Sequence, residues 1–329
     1  MKTNIKIILN YVVGPLVFLL LSWFICLQVT HQPNWKASLD HIRQAVTGPL
    51  SWRLWLAVAL MPVNWGIEAR KWQLALRPIG GIVYVNAFKA VLTGTTMASF
   101  TPNRMGEYVG RLLYVRPGHR IESISLTIVC SMAQLLVTMI LGFAGILYLR
   151  GALSGHTVAH QNTSLWLNAL LSLVGVLLVS LTIIYFRLSW LLRILGRVSI
   201  LTKYQAYLKV LQNFDATLLL RILFLSFGRY LVFIVQYGLV FPLFWVILTA
   251  GELWGGMSVV FLVMAIMPTF TFLTELGLRW ETSIQVLEIF STNTIGIFAA
   301  SFAIWLINLI IPALIGSLLM LSIKLFRNK

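Results

Sequence analysis

One stretch of this sequence places acidic and basic side chains at helical spacing within otherwise apolar surroundings. Arg104, Glu107 and Arg111 lie at positions i, i+3 and i+7, so on a helix they would stack on one face with alternating charge. Pro102 predicts the start of that helix, since the N–H that proline lacks would have no partner in a first turn. One carboxylate between two arginines leaves a net positive site.

A second stretch repeats part of the pattern, with Glu275 and Arg279 forming an i, i+4 pair. A guanidinium binds phosphate through two parallel N–H donors, so the predicted chemistry is the binding of an anionic phosphate headgroup. We predict no catalytic residue. The predicted binding residues are Glu68, Arg70, Asn103, Arg104, Glu107, Arg111, Glu275 and Arg279. An alternative interpretation places these charges at the membrane surface, where they would cap helix ends and contact lipid phosphates.

The elements that carry these residues must lie in a membrane. Of 329 residues, 59% are hydrophobic and only 10% are charged, and the mean hydropathy is +0.88. Soluble domains carry about 25% charged residues, so this chain has too little polar surface to face water. The net charge of +16 does not indicate a nucleic-acid partner, because the basic residues lie between apolar runs rather than in a separate basic domain.

Apolar runs predict an all-α polytopic membrane protein with about six full spans and two proline-broken, re-entrant segments. Full crossing of both broken segments as hairpins stays an alternative, because it would leave the sidedness of the outer spans unchanged. A span needs about 20 apolar residues. The predicted spans are residues 7–29, 52–72, 121–149, 165–186, 221–248 and 295–325. The broken segments are residues 87–101, followed by Pro102, and 255–273, which contain Pro268. Lys2 and Lys6 precede the first run without a cleavage site after it, which predicts an uncleaved first helix.

The distribution of lysine and arginine predicts the orientation. Residues 187–209 and the end of the chain are rich in both, whereas residues 151–164 and 250–257 have neither. Placing the basic stretches inside puts both termini in the cytoplasm and predicts a cytoplasmic (inner) membrane protein. Residues 30–51 would then form an external amphipathic segment, and residues 187–209 a helix resting on the inner leaflet.

The order of predicted elements indicates a single transmembrane domain, residues 1–329, with an inverted repeat inside it. Residues 52–149 and 221–325 each comprise a span, a broken segment and a span, and the predicted topology gives them opposite orientations. A span and basic linker, residues 165–215, connect them. In inverted-repeat transporters, paired interrupted segments are the best pointer to the substrate site.

Two glycines and two tryptophans are predicted to have structural rather than binding roles. Gly142 and Gly145 are predicted to pack helices together. Trp65 and Trp72 are predicted to anchor a span at the membrane interface, in preference to lining a cavity.

Cofactors are not expected. Cys26 and Cys130 lie in apolar runs, which excludes a disulfide framework or a cysteine-based metal cluster as an interpretation. His156 and His160 have i, i+4 spacing, but Gly155 and the polar context favour a solvated loop over a metal site.

The charged stretches also resemble a known family. Residues 64–72, the Pro-x-x-x-Gly-Glu-x-x-x-Arg motif at 102–111, the Glu-Leu-Gly-Leu-Arg stretch at 275–279 and residues 305–316 are similar to signatures of the lysylphosphatidylglycerol synthase transmembrane-region family, also called flippase-like. The resemblance covers most of the chain, but residues 270–274 replace a glycine-rich stretch of the family.

The resemblance implies a module that binds or translocates lipid, without the soluble aminoacyl-transferase domain, so we do not expect synthesis of aminoacyl lipids. Our leading hypothesis is that the protein binds, and translocates across the cytoplasmic membrane, an anionic phospholipid or a polyprenyl-phosphate-linked lipid. Two alternatives stay open. One is a membrane-embedded transferase with Glu107 or Glu275 as general base, and the other is a scaffold that recruits envelope enzymes.

Overall fold

The computed structural model describes residues 46–154, 161–187, 215–267 and 272–321. The predicted span 7–29, most of the external segment, most of the basic stretch 187–209, the histidine pair and Pro268 lie outside these residues. Within the described residues every regular element is helical and no strand occurs, which confirms the all-α prediction.

Ten helices carry the described part of the chain. They are α1 (Ser51–Ala75), α2 (Tyr84–Ala98), α3 (Gly106–Leu112), α4 (Arg120–Ser154), α5 (Gln161–Phe186), α6 (Ala216–Val240), α7 (Ala250–Ile266), α8 (Phe272–Leu287), α9 (Thr294–Trp305) and α10 (Ile311–Leu321). A π-helical turn, Leu306–Ile310, joins α9 to α10 without a break. Short 3₁₀ turns lie at Arg77–Ile79, Pro102–Arg104, Pro117–His119 and Phe241–Phe244.

Among the described residues, four helical segments are long and apolar enough to cross a bilayer, so the chain is a membrane protein. They are Pro117–Ala152, Asn168–Phe186, Ala216–Phe244 and Thr294–Met320. Ala250–Ile266 is a shorter apolar helix. Helix α1 occupies the position of the predicted span 52–72 but is not among these four segments.

The proline-broken segments are helical hairpins. Helices α2 and α3 pack against each other so closely that a Cβ on Gly110 would lie 2.6 Å from the Cα of Gly94. Helices α7 and α8 also pack together, and Gly256 near the start of α7 contacts Leu287 at the end of α8. In both cases the chain doubles back on itself after the break.

The predicted start of the first charged helix was wrong. Pro102 begins a 3₁₀ turn, and α3 starts only at Gly106. Asn103 and Arg104 have φ of 50° and 58°, the left-handed conformation, which cannot continue a right-handed helix. The Thr101 hydroxyl accepts a hydrogen bond of 2.6 Å from the Gly106 N–H and so satisfies a free donor at the new helix start.

Two close helix pairs rely on glycine. Gly142 and Gly145 of α4 face α7, where an added Cβ would lie 2.6 Å from Leu262 and 2.8 Å from Ser258 respectively. The predicted packing role of these glycines is therefore confirmed. Gly316 of α10 contacts the backbone of α2 at Leu92 in the same manner.

Candidate functional site

A buried carboxylate lies at the centre of the charged residues. Glu68 of α1 is 3% exposed and accepts hydrogen bonds from Arg111 Nη2 of α3 and Arg229 Nη1 of α6, each at 2.9 Å. Lys71 Nζ lies 2.6 Å from Glu68 Oε2, the oxygen that also accepts from Arg229. One carboxylate thus holds three cations and ties three helices together.

A second group of charges joins the two hairpins. Arg104 lies 3.9 Å from Glu107 of the first hairpin and 3.6 Å from Glu275 of the second. Glu275 also accepts from Arg279 at 3.2 Å, and Glu107 accepts from Arg111. The two charged stretches of the sequence therefore meet in the structure, and Arg104 is the side chain that connects them.

Most of these side chains line a cavity of about 360 Å³. Its charged lining comprises Glu68, Lys71, Arg104, Glu107, Arg229, Glu275 and Arg279. The same cavity is lined by the apolar side chains Leu135, Phe233, Phe261, Met264, Ala265, Ile304 and Leu309 and by the polar side chains Ser131, Gln134 and Thr138. A guest of this cavity would therefore meet both fixed charge and hydrocarbon.

The charged cluster is positive as a whole. Five cations and three carboxylates meet through its ion pairs, which leaves a formal charge of +2. Charge buried away from water is costly unless it is compensated. The excess of positive charge makes the arrangement suited to an anion. Among the described residues no group of three or more His, Cys, Asp or Glu is placed to hold a metal ion.

Two buried donors of the cavity lining have no hydrogen-bond partner among the described residues. They are Arg279 Nε and Trp65 Nε1. The other end of the Arg279 guanidinium donates to Tyr237 Oη at 3.3 Å and to Glu275. Buried donors are nearly always satisfied in native proteins, so two without a partner are unusual among the residues that line a cavity.

A network of side-chain amides connects Arg229 of the cavity lining to the buried helix core. Arg229 Nε donates to Asn64 Oδ1 at 2.7 Å, and Asn64 approaches Asn308 at 3.5 Å. Asn308 Nδ2 donates to Gln236 Oε1 at 3.0 Å. Asn308 lies in the π-helical turn. Pro312, four residues later, has no N–H to donate to the backbone carbonyl of Asn308. Such π-bulges are frequent at functional sites.

Trp65 and Trp72 of α1 are not interfacial anchors, which corrects the sequence prediction. Trp65 is 3% exposed and Trp72 is fully buried. The Arg229 guanidinium lies 4.8 Å from the centroid of a Trp65 ring, and that of Arg111 lies 5.6 Å from Trp72. Both indoles thus stabilise buried cations of the site.

Five of the eight predicted binding residues line the cavity, and three do not. Arg111 is only 1% exposed and lies behind Glu68 and Glu107 as their counter-ion. Asn103 is exposed on the left-handed turn and is absent from the lining. Arg70 is exposed and donates to Gln73 at 2.5 Å. Two residues along a helix correspond to a rotation of about 200°, so Arg70 points away from Glu68.

Lys71, Arg229 and Asn308 belong to the site but were not predicted. The signal for Arg229 was its position inside an apolar span, where an ionisable residue indicates function by default. Lys71 follows Glu68 at i+3, a spacing that predicts contact on a helix. Nothing local to Asn308 marks its partners, which are 72 and 244 residues away.

Comparison with known proteins adds no relative: no family model, no curated protein and no solved structure matches this chain.

Proposed function

We propose that this protein binds an anionic phosphate-bearing lipid in the cavity between its two hairpins and translocates it across the cytoplasmic membrane. The observation that carries the proposal is that cationic and apolar side chains line one cavity. Arg104, Arg229 and Arg279 are the guanidinium groups of that lining, and guanidinium binds phosphate oxygens through paired N–H donors. The apolar side chains would accommodate the lipid chain.

The net positive charge of the cluster also favours a phosphate-bearing guest. A formal +2 in a low-dielectric cavity is compensated by one dianionic phosphate, or in part by a phosphodiester. Glu107 and Glu275 compete with the guest for Arg104. Their distances of 3.9 and 3.6 Å to Arg104 are longer than direct hydrogen bonds, so an arriving phosphate can take over its donors.

The packing of the helices supports the inverted repeat that a transporter of this kind would use. The order of a long helix, a hairpin and a long helix occurs in α1–α4 and again in α6–α10. The first helices of the two units run antiparallel, since Gln236 bonds to Ala57 whereas Arg229 bonds to Asn64.

The remaining contacts are reciprocal between the two units. The last helix of the first unit, α4, packs on α7, the first hairpin helix of the second. The last helix of the second unit, α10, packs on α2, the first hairpin helix of the first. Each hairpin also carries a Glu-x-x-x-Arg pair in its second helix. Substrate sites of inverted-repeat transporters lie between such units.

A translocation assay tests the proposal. Proteoliposomes would contain fluorescent phosphatidylglycerol, phosphatidic acid or polyprenyl phosphate, and an impermeant quencher would report the lipid remaining outside. We expect the wild type to accelerate translocation of at least one of these lipids. Arg279→Gln should slow it about tenfold or more, since a hydrogen bond to a charged group contributes about 1.5–3 kcal/mol. Exposed Arg120, which is absent from the cavity lining, provides the control Arg120→Gln.

Translocation at the rate of protein-free liposomes across this lipid panel would reject the proposal, as would equal rates for Arg279→Gln and the wild type. Membership of the flippase-like family and cytoplasmic placement of both termini stay predictions alongside it.

The transferase alternative requires Glu107 or Glu275 as general base, and both of these residues line the cavity. Lipid extracts of a deletion strain separate the two functions. Loss of a lipid species would indicate a transferase, whereas a lipid that is present on the wrong leaflet would indicate a translocator. A scaffold predicts that Arg279→Gln leaves both lipid content and sidedness unchanged.

A further inference from the structure

A second cavity lies where α1 ends and α6 begins, away from the charged cluster. It is a groove of about 470 Å³ between the two helices. Arg70, Arg77 and Arg221 contribute three guanidinium groups to its lining, and no carboxylate lines it. None of these residues lines the cavity between the hairpins.

The floor of the groove continues onto an exposed apolar surface. Leu220 and Phe224 both line it, and they are 53% and 74% exposed respectively. They lie one turn apart on α6, so their side chains form a stripe along the helix. A charged rim beside an exposed apolar stripe matches a molecule with an anionic head and a hydrocarbon tail.

The position of the groove places that rim where lipid headgroups lie. Helix α6 begins at Ala216 and belongs to the spanning segment Ala216–Phe244. Arg221 lies about 8 Å along the helix from Ala216, at 1.5 Å per residue, and Phe224 is one turn deeper. Long arginine side chains near a span end extend to the interface, where lipid phosphates are found.

We infer that this groove is a binding site for an anionic phospholipid of the surrounding bilayer. The phosphate contacts Arg70, Arg77 and Arg221, and an acyl chain lies over Phe224 and Leu220. Basic pockets between membrane helices bind anionic headgroups in this manner. A lipid accounts for the exposed apolar stripe, which a free phosphate ion would leave uncovered. This inference is independent of the proposed translocation, because the two sites share no side chain.

Photolabelling in nanodiscs tests the site. Phosphatidylcholine nanodiscs would contain a small fraction of diazirine-bearing phosphatidylglycerol, and mass spectrometry would quantify the label on the peptide that includes Leu220 and Phe224. We expect the triple variant Arg70→Gln, Arg77→Gln and Arg221→Gln to lose label about tenfold or more, because each arginine near anionic lipid contributes measurably to binding. The same probe built on phosphatidylcholine should label this peptide at background level.

A matched control removes three other exposed arginines that line neither cavity, in the variant Arg120→Gln, Arg150→Gln and Arg187→Gln. We expect its label to stay within about twofold of the wild type. Equal labelling of the two triple variants would overturn the inference, as would equal labelling by the choline probe. These outcomes concern only the groove, so they leave the translocation assay to decide the proposed function separately.

A single-residue comparison perturbs the fold least. Arg221→Lys keeps the charge but loses the paired donors, whereas Arg221→Gln loses both. We expect the label to fall in the order Arg, Lys, Gln. Identical labelling of the wild type and Arg221→Gln would show that Arg221 does not contact the lipid phosphate and would overturn the site as inferred.

Discussion

Replacement of Glu68 by glutamine removes the one carboxylate that three buried cations share. Lys71 lies 2.6 Å from it, and Arg111 and Arg229 lie at 2.9 Å. Removing one partner of a buried ion pair costs about 3–5 kcal/mol, because the remaining charge is left uncompensated. Three cations depend on this carboxylate, and among the described residues only Arg111 pairs with a second one, Glu107, so we expect a loss at the upper end of that range.

The assay is thermal unfolding of the purified protein in detergent, followed by tryptophan fluorescence. A loss of this size should lower Tm by on the order of 10 °C for a chain of this length. The matched control is Glu281→Gln, which changes an exposed carboxylate that contacts only Gln285 in the described structure. Surface substitutions of this kind change stability by about 0.5 kcal/mol or less.

The double variant Glu68→Gln, Arg229→Gln tests the cause. If uncompensated charge is responsible, removing Arg229 as well should recover part of the loss, with a coupling energy of about 1–3 kcal/mol. A Glu68→Gln protein that unfolds at the wild-type temperature would refute the buried ion cluster. Additive losses in the double variant would instead assign the effect to packing.

Further predictions concern packing, the amide network and ligand charge. Gly110→Ala should destabilise by about 1–3 kcal/mol, since the new methyl would lie 2.6 Å from Gly94. Gly228→Ala, with no heavy atom within 4 Å, should stabilise α6 by about 0.5–1 kcal/mol; Tm measurements on both variants check the sign. Asn308→Leu should lower the free energy of unfolding by about 1–3 kcal/mol, because the buried side-chain oxygen of Gln236 loses its donor. An unchanged Tm would contradict this. Phosphatidic acid should bind more tightly than phosphatidylglycerol at pH 7.5, and the difference should shrink towards pH 5 as the phosphomonoester, whose second pKa is about 6, becomes a monoanion. Native mass spectrometry at the two pH values would measure this, and equal retention at both would contradict it.

Local sequence rules predicted the parts of this protein that depend on neighbouring residues. Apolar runs predicted the helices, and the glutamate–arginine spacings predicted the pairs of Glu107 with Arg111 and Glu275 with Arg279. The helix start at Pro102 was wrong because the left-handed backbone that follows it is set by the hairpin turn and not by proline itself.

The rest of the site depends on contacts between distant helices. Arg229 is 161 residues from Glu68, so no spacing rule connects them. The burial of Trp65 and Trp72 likewise follows from the packing of α1 against its neighbours, whereas tryptophan composition alone favoured the interface. Arg70 is different, since helical periodicity alone would have placed it on the opposite face from Glu68.

The most direct measurement of the central claim is a cryo-EM reconstruction of the protein in nanodiscs that contain an anionic phospholipid. We expect headgroup density in the cavity between the hairpins, with the phosphate in contact with Arg104, Arg229 or Arg279 and the chain along Phe261 and Met264. Lipid density confined to the outer surface, with Arg104 still bound between Glu107 and Glu275, would contradict it.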